Sequence, residues 1–145
     1  MSTEENKALI RSFFDEINKL NVAALDELVA PDYVDHNPPP FPGLAPGLQG
    51  GKQAFLMAQK AFSDVHHTIE DQIAHGDKVV TRLSVIGTHT GEIIGIPASG
   101  NQVAATGIAI HRIAGGKIVE HWGQTDLLGM LQQMGAIPAP GQTVG

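Results

Sequence analysis

The spacing of apolar residues changes once along the chain, and that change divides it into a helical part and a strand part. Up to Phe62, apolar residues recur three and four apart: Leu9, Ile10, Phe13, Phe14, Ile17 and Leu20, then Leu25, Leu28 and Val29, then Phe55, Leu56 and Phe62. This spacing gathers them on one face of a helix. From Val65 the residues become β-branched and alternating, the pattern of half-buried strands. Helices followed by strands joined through tight turns predict an α+β domain with an antiparallel sheet. At 145 residues the chain fits a single domain over 1–145, with a flexible tail expected from about residue 137. A chain of that length buries roughly two-thirds of its unfolded surface.

Local signals set the expected boundaries. Ser2-Thr3-Glu4-Glu5 reads as a capping box, so a first helix starts there and runs to about Leu20. Asn21 caps a second, short helix that Pro31 ends, because proline disfavours helical geometry in the residue before it. Residues 37–51 are so rich in Pro and Gly that they predict a long loop, of the kind that serves as a lid or binding loop or is simply mobile. A third helix is expected over 52–62. Two strands then flank a Gly76-Asp77 turn, which places Arg82 opposite Asp71, and two more flank Gly115-Gly116.

Composition narrows the function. With 15 acidic and 9 basic side chains the net charge is -6, and no Lys/Arg cluster exists to neutralise a run of phosphates, so nucleic acid is not an expected partner. The chain contains no cysteine, which excludes disulfides, thiolate metal sites and a cysteine nucleophile. No apolar run approaches the ~18 residues that span a bilayer, and the N-terminus is acidic and polar where an export signal is basic and then apolar. A soluble, cytoplasmic protein with no membrane partner is the expectation. Seven histidines invite a metal reading, yet neither H-E-x-x-H nor H-x-H occurs, so no metal is expected. His66 and His67 should point to opposite faces of one strand and be solvated or interfacial. His75 falls at a turn. The glycines of "GTHTGEIIG" open no helix and form no phosphate loop.

Candidate chemistry concentrates at the last hairpin, where Glu120, His121, the single Trp122 and Asp126 fall within seven positions. A two-residue Gly115-Gly116 turn pairs Ala114 with Lys117, Ile113 with Ile118, His111 with Glu120, Ala109 with Trp122, Gly107 with Gln124 and Ala105 with Asp126. Alternation then puts Ile113, Ile118, His111, Glu120, Ala109, Trp122, Gln124 and Asp126 on one face. Ile108, Ile110, Arg112, Val119, His121 and Thr125 fall on the other, which is too apolar to stay in water and predicts a second copy of the chain as cover. Two readings of the first face stand side by side. It lines a pocket, or Trp122 is ordinary core and Glu120 with His111 is a stabilising cross-strand pair. A slip of one residue would exchange the two faces.

The stretches "DYVDHNP", "AFSDVHHTIEDQIAHGDKVVTR", "GTHTGEIIGIPASG" and "HRIAGGKIVEHWGQTD", in that order and over about residues 9–135, resemble the SnoaL-like polyketide cyclases, or ester cyclases, of the nuclear transport factor 2-like superfamily. The resemblance implies a cone-shaped curved antiparallel sheet whose concave side is closed by three N-terminal helices around an apolar pocket, in a homodimer formed through the sheet. It also implies a cofactor-independent intramolecular aldol cyclisation of a hydrophobic polyketide ester, with an aspartate in the pocket as acid and base. Asp126 is the matching position, assisted by His111 and by His36 or Asn37. Trp122, Phe13 and Phe14 would pack on a flat ligand, with Glu120, Gln124 and Asn37 at its polar groups. The chain departs from the pattern at Pro97-Ala98-Ser99-Gly100, where relatives read P-P-T-G, and at His111, where an aromatic is common. A non-catalytic small-molecule-binding dimer module, or a related epoxide hydrolase or hydroxylase, is the alternative.

Overall fold

The computed structural model describes residues 2–138 and 140–141; the tail expected from about residue 137 lies partly outside them. Helix α1 spans Thr3–Asn18, α2 Leu25–Leu28 after a 3-10 turn at Val22–Ala24, and α3 Gly47–Ala61. The strands are β1 (Val29–Asp35), β2 (His66–His75), β3 (Lys78–Thr88), β4 (Gln102–Ala114) and β5 (Lys117–Thr125), and α4 (Leu127–Gln133) follows. They form one curved, open sheet in the order β1-β5-β4-β3-β2. The α+β class and its curved sheet under N-terminal helices are as expected. Among the described residues no helix is long and apolar enough to cross a membrane.

The helix starts follow from capping chemistry. Ser2 Oγ accepts from the Glu5 N–H at 3.0 Å and Glu5 Oε1 accepts from the Ser2 N–H at 3.2 Å, closing the expected box. Helix α3 begins five residues before the expected Lys52, so 47–51 belong to a helix and not to the loop. Those glycines answer to close approach. A Cβ on Gly50 would lie 1.8 Å from the Ala45 carbonyl oxygen, and one on Gly47 would lie 2.5 Å from that of Pro31. The sheet also has one strand more than expected. Strand β1 pairs parallel to β5, through Val34–Glu120 and Asp35–His121. Its seven residues carry Pro31 and find their partner some eighty positions later, so no local alternation announces the strand.

The helix-covered face of the sheet holds the core. Ile10 and Phe14 of α1, Leu25, Val29 and Leu48 meet Val79, Ile113 and Ile118 there. A second cluster joins Ala61 and Phe62 to Val103 and Met134. It seats the 89–101 connection, where buried His89 takes the Ser99 N–H on Nδ1.

The register of the β4–β5 hairpin decides which side chains reach the inner face. Gly115 and Gly116 both have positive φ, as a primed turn requires, and Ala114–Lys117 and Ile113–Ile118 pair as expected. A β-bulge then intervenes. Val119 is skipped, so Arg112 pairs with Glu120, His111 with His121, Ile110 with Trp122, Ala109 with Gly123 and Ile108 with Gln124. An extra residue exchanges the faces of everything beyond it. His121 therefore points inward with His111, whereas Glu120, Trp122 and Gln124 lie on the outer face. The expected sharing of one face by His111, Glu120, Trp122 and Gln124 is corrected accordingly.

Candidate active site

Register lines up an inner row of polar residues across the sheet. Asp35 pairs with His121, His121 with His111, and His111 with Val79, so β1, β5 and β4 bring a carboxylate and two imidazoles together. Asp35 Oδ1 accepts from His121 Nδ1 at 2.9 Å and from the Asn37 N–H at 3.0 Å. The Tyr33 hydroxyl, two residues away on the same strand face, adds to the stabilisation of this carboxylate. Burial alone would raise the Asp35 pKa. The hydrogen bond and charge of His121, with the Asn37 and Tyr33 bonds, outweigh burial and hold it below the usual value. An ionised Asp35 can only accept, so Nδ1 of His121 is the donor of this bond, which in the neutral imidazole leaves Nε2 as the free lone pair.

His111 lies 4.9 Å from His121, ring centre to ring centre, beneath Phe13 at 5.7 Å and Phe14 at 6.1 Å. It is 3% exposed, and its Nδ1 has no hydrogen-bond partner among the described residues. Burial, then the neighbouring His121 charge, push its pKa down to about 3 despite the opposing pull of Asp35. His111 is thus a neutral imidazole near pH 7. His67 shares this face 5.7 Å from Phe14, and burial followed by His66 lowers its pKa to about 4. The expectation that His67 is solvated or interfacial is corrected; His66, on the opposite face, is exposed.

The remaining candidates sit elsewhere. His36 stacks on Trp122 with ring centres 4.8 Å apart and planes 6° apart, and its Nε2 meets Glu120 Oε2 at 2.7 Å. Glu120 also accepts from Arg112, and the His36 and Arg112 bonds lower its pKa. Lys78 Nζ lies 5.6 Å from the Trp122 ring. These groups form an outer-face cluster, apart from His111. Asn37 turns its Oδ1 to the Gly123 N–H at 2.9 Å. Asp126 is exposed and caps α4, its Oδ1 accepting from the Gly129 N–H at 2.9 Å. It borders an outer groove of ≈ 520 Å³ with Arg82, Thr106, Ile108 and Gln124. The expected placement of Asp126 inside the cone beside His111 is therefore corrected: it shares the parity of Trp122, and the bulge turned that parity outward.

Of the expected site residues, the structure brings together His111, Phe13 and Phe14, with Asn37 at the edge. It adds Tyr33, Asp35 and His121. Tyr33 and Asp35 stand two apart in "DYVD", a spacing that puts both on one face of a strand, and this signal was available once the segment is seen as a strand. No local signal marks Val119 as the extra residue.

The comparisons with known proteins agree with this architecture. The model of the SnoaL-like polyketide cyclase family matches residues 8–134. The aklanonic acid methyl ester cyclase DnrD of Streptomyces peucetius is 31% identical over 110 residues, covering 75% of this chain and 72% of that protein. The nogalonic acid methyl ester cyclase of Streptomyces nogalater is 30% identical over 116 residues, covering 77% and 83%. Among solved structures, TsrD from Streptomyces laurentii superposes with a TM-score of 0.84 at 31% identity, covering 94% of this chain and 99% of that one. With a family match over nearly the whole chain, and relatives of this identity that are named as cyclases, the protein belongs to the SnoaL-like polyketide cyclase family and is a cyclase-like enzyme.

Proposed function

We propose that the protein closes a ring in a hydrophobic polyketide ester by an intramolecular aldol reaction, using acid/base chemistry from the inner face and no cofactor. The observation that carries this reading is the Asp35–His121 hydrogen bond with neutral His111 in contact, roofed by Phe13 and Phe14. His121 Nε2 takes the proton from a carbon flanked by carbonyls, and Asp35 stabilises the imidazolium that results. The enolate carbon attacks the second carbonyl carbon, forming the C–C bond while that carbonyl's π electrons move to its oxygen. The alkoxide then recovers the proton from His121. Substrate and product are isomers, so no other reactant is needed. A neutral imidazole at His111 can donate a hydrogen bond to the enolate oxygen without competing for the proton.

Incubation with aklanonic or nogalonic acid methyl ester tests the reading. A ring-closed product of unchanged mass supports it. Ester that binds and is returned unchanged supports the non-catalytic binding module instead. The outer face suits a second copy of the chain, because it exposes Ile73 (64%), Ile108 (52%) and Ile86 (41%) along three neighbouring strands.

A further inference from the structure

Gly123 has a specific relation to His121. A Cβ at this position would lie 2.7 Å from His121 Nε2 and 2.9 Å from Cε1, whereas the next nearest atom, the Ile108 carbonyl oxygen, is at an ordinary 3.5 Å. The imidazole therefore lies along β5 in the space that a side chain at 123 would fill, and nothing else needs that space. The same glycine is tied back to the carboxylate. Its N–H donates to Asn37 Oδ1, the Asn37 N–H donates to Asp35 Oδ1, and Asp35 Oδ1 accepts from His121 Nδ1. Four residues thus form a closed circuit of three hydrogen bonds around one imidazole, with the chain from His121 to Gly123 as its fourth side.

We propose that Gly123 and Asn37 are positioning residues that hold His121 in its Nδ1–H tautomer with Nε2 turned into the inner face. Asp35 alone tethers one ring nitrogen and leaves the ring free to rotate about that bond; the empty position at 123 selects one rotation. Asn37 keeps Asp35 and β5 in register just beyond the last β1–β5 pair, Asp35–His121. Touching no reacting atom, both residues act only through His121. The inference rests on the proposed role of His121 as base, but its structural content can be read without substrate.

The test is the ring ¹⁵N spectrum of His121 in the full chain, for wild type, Gly123→Ala and Asn37→Ala, with steady-state cyclisation measured alongside. In the wild type, neutral His121 should show a protonated Nδ1 and a bare Nε2. Gly123→Ala should convert this to a mixture of tautomers while leaving the circular dichroism spectrum unchanged, since the one atom group in its way is a side-chain end. Its kcat should fall ~10- to 100-fold with KM within about 3-fold, as for a displacement of catalytic atoms by about 1 Å. Asn37→Ala should shift the tautomer balance in the same direction. An Nε2–H tautomer in the wild type, or an unaltered ring spectrum in Gly123→Ala, overturns the proposal. So does failure of Gly123→Ala to fold, which would make the glycine a packing requirement. Altered tautomers with unchanged kcat would uphold the positioning role and remove His121 from the chemistry.

Discussion

At the scale of single residues, the inner face separates the roles of its ionisable groups by environment. Asp35, which accepts from His121 and the Asn37 N–H, stays charged, and His111, buried beneath Phe13 and Phe14, stays neutral. Replacing His121 by Gln or Asp35 by Asn should therefore lower kcat by ~100-fold or more, with binding little changed. Asp126→Asn retains an N-cap and should keep kcat within ~3-fold; a 100-fold loss in that variant would return the acid/base role to Asp126. The buried histidines also set a pH dependence of stability. Their folded pKa values, about 3 for His111 and about 4 for His67, lie below the ordinary histidine value of 6.5 because both rings are buried. Between those values the unfolded chain binds protons that the native state does not, so stability is greatest above about pH 6.5 and falls as the pH drops. Each histidine contributes ~1.4 kcal/mol per pH unit within its window. Urea unfolding at pH 7 and pH 5 should show the decline, and His67→Phe should flatten it; a His67→Phe protein with the wild-type slope would contradict the assignment.

At the scale of elements, one bulge determines the site. Val119 is skipped between the Ile113–Ile118 and Arg112–Glu120 pairs, and the skip sends His121 inward and Trp122 outward. Deleting Val119 would remove the bulge and restore uninterrupted alternation while leaving the pairs on either side of it as they are, with His121 inward and Trp122 outward. Because Asp35 keeps its imidazole and Trp122 keeps its face, the variant should fold with stability within about 2 kcal/mol of wild type, as measured by thermal unfolding. A deletion variant that fails to fold or exposes His121 would show that Val119 itself, and not the skipped position, sets the facing of the strand. The element scale is also where sequence patterns were least informative. Alternation located both hairpins and their turns, but it contains no count of skipped residues. Adjacent Ile118 and Val119 are both apolar, so either could continue the inner face, and tertiary packing selects Ile118 at 1% exposure.

At the scale of the whole molecule, an open sheet with helices on one side leaves its other side to be covered. Ile73, Ile86 and Ile108 on that side are more than 40% exposed, a pattern that suits association of two copies. Sedimentation at micromolar concentration should give a dimer, and Ile108→Glu should convert it to monomer with the fold retained. A wild-type monomer under those conditions would remove this assembly.

What the sequence determined by itself is the set of statements that depend on neighbours along the chain. The capping box at Ser2, the helical face of α1, the Gly76-Asp77 and Gly115-Gly116 turns and the α+β order all rest on contacts a few residues apart, and each is present in the structure, whereas Leu56, expected on the apolar face of α3, is 45% exposed. Of the residues that the family motifs drew together, His111, Phe13 and Phe14 are in contact on the inner face. Tertiary structure alone decided the parallel pairing of β1 with β5 and the inward turn of His121. Both depend on groups eighty or more residues apart, whose association is selected by burial and hydrogen bonding of the assembled sheet. Asp35 becomes a site residue only because its partner is His121, and His121 faces it only because Val119 bulges out of the ladder.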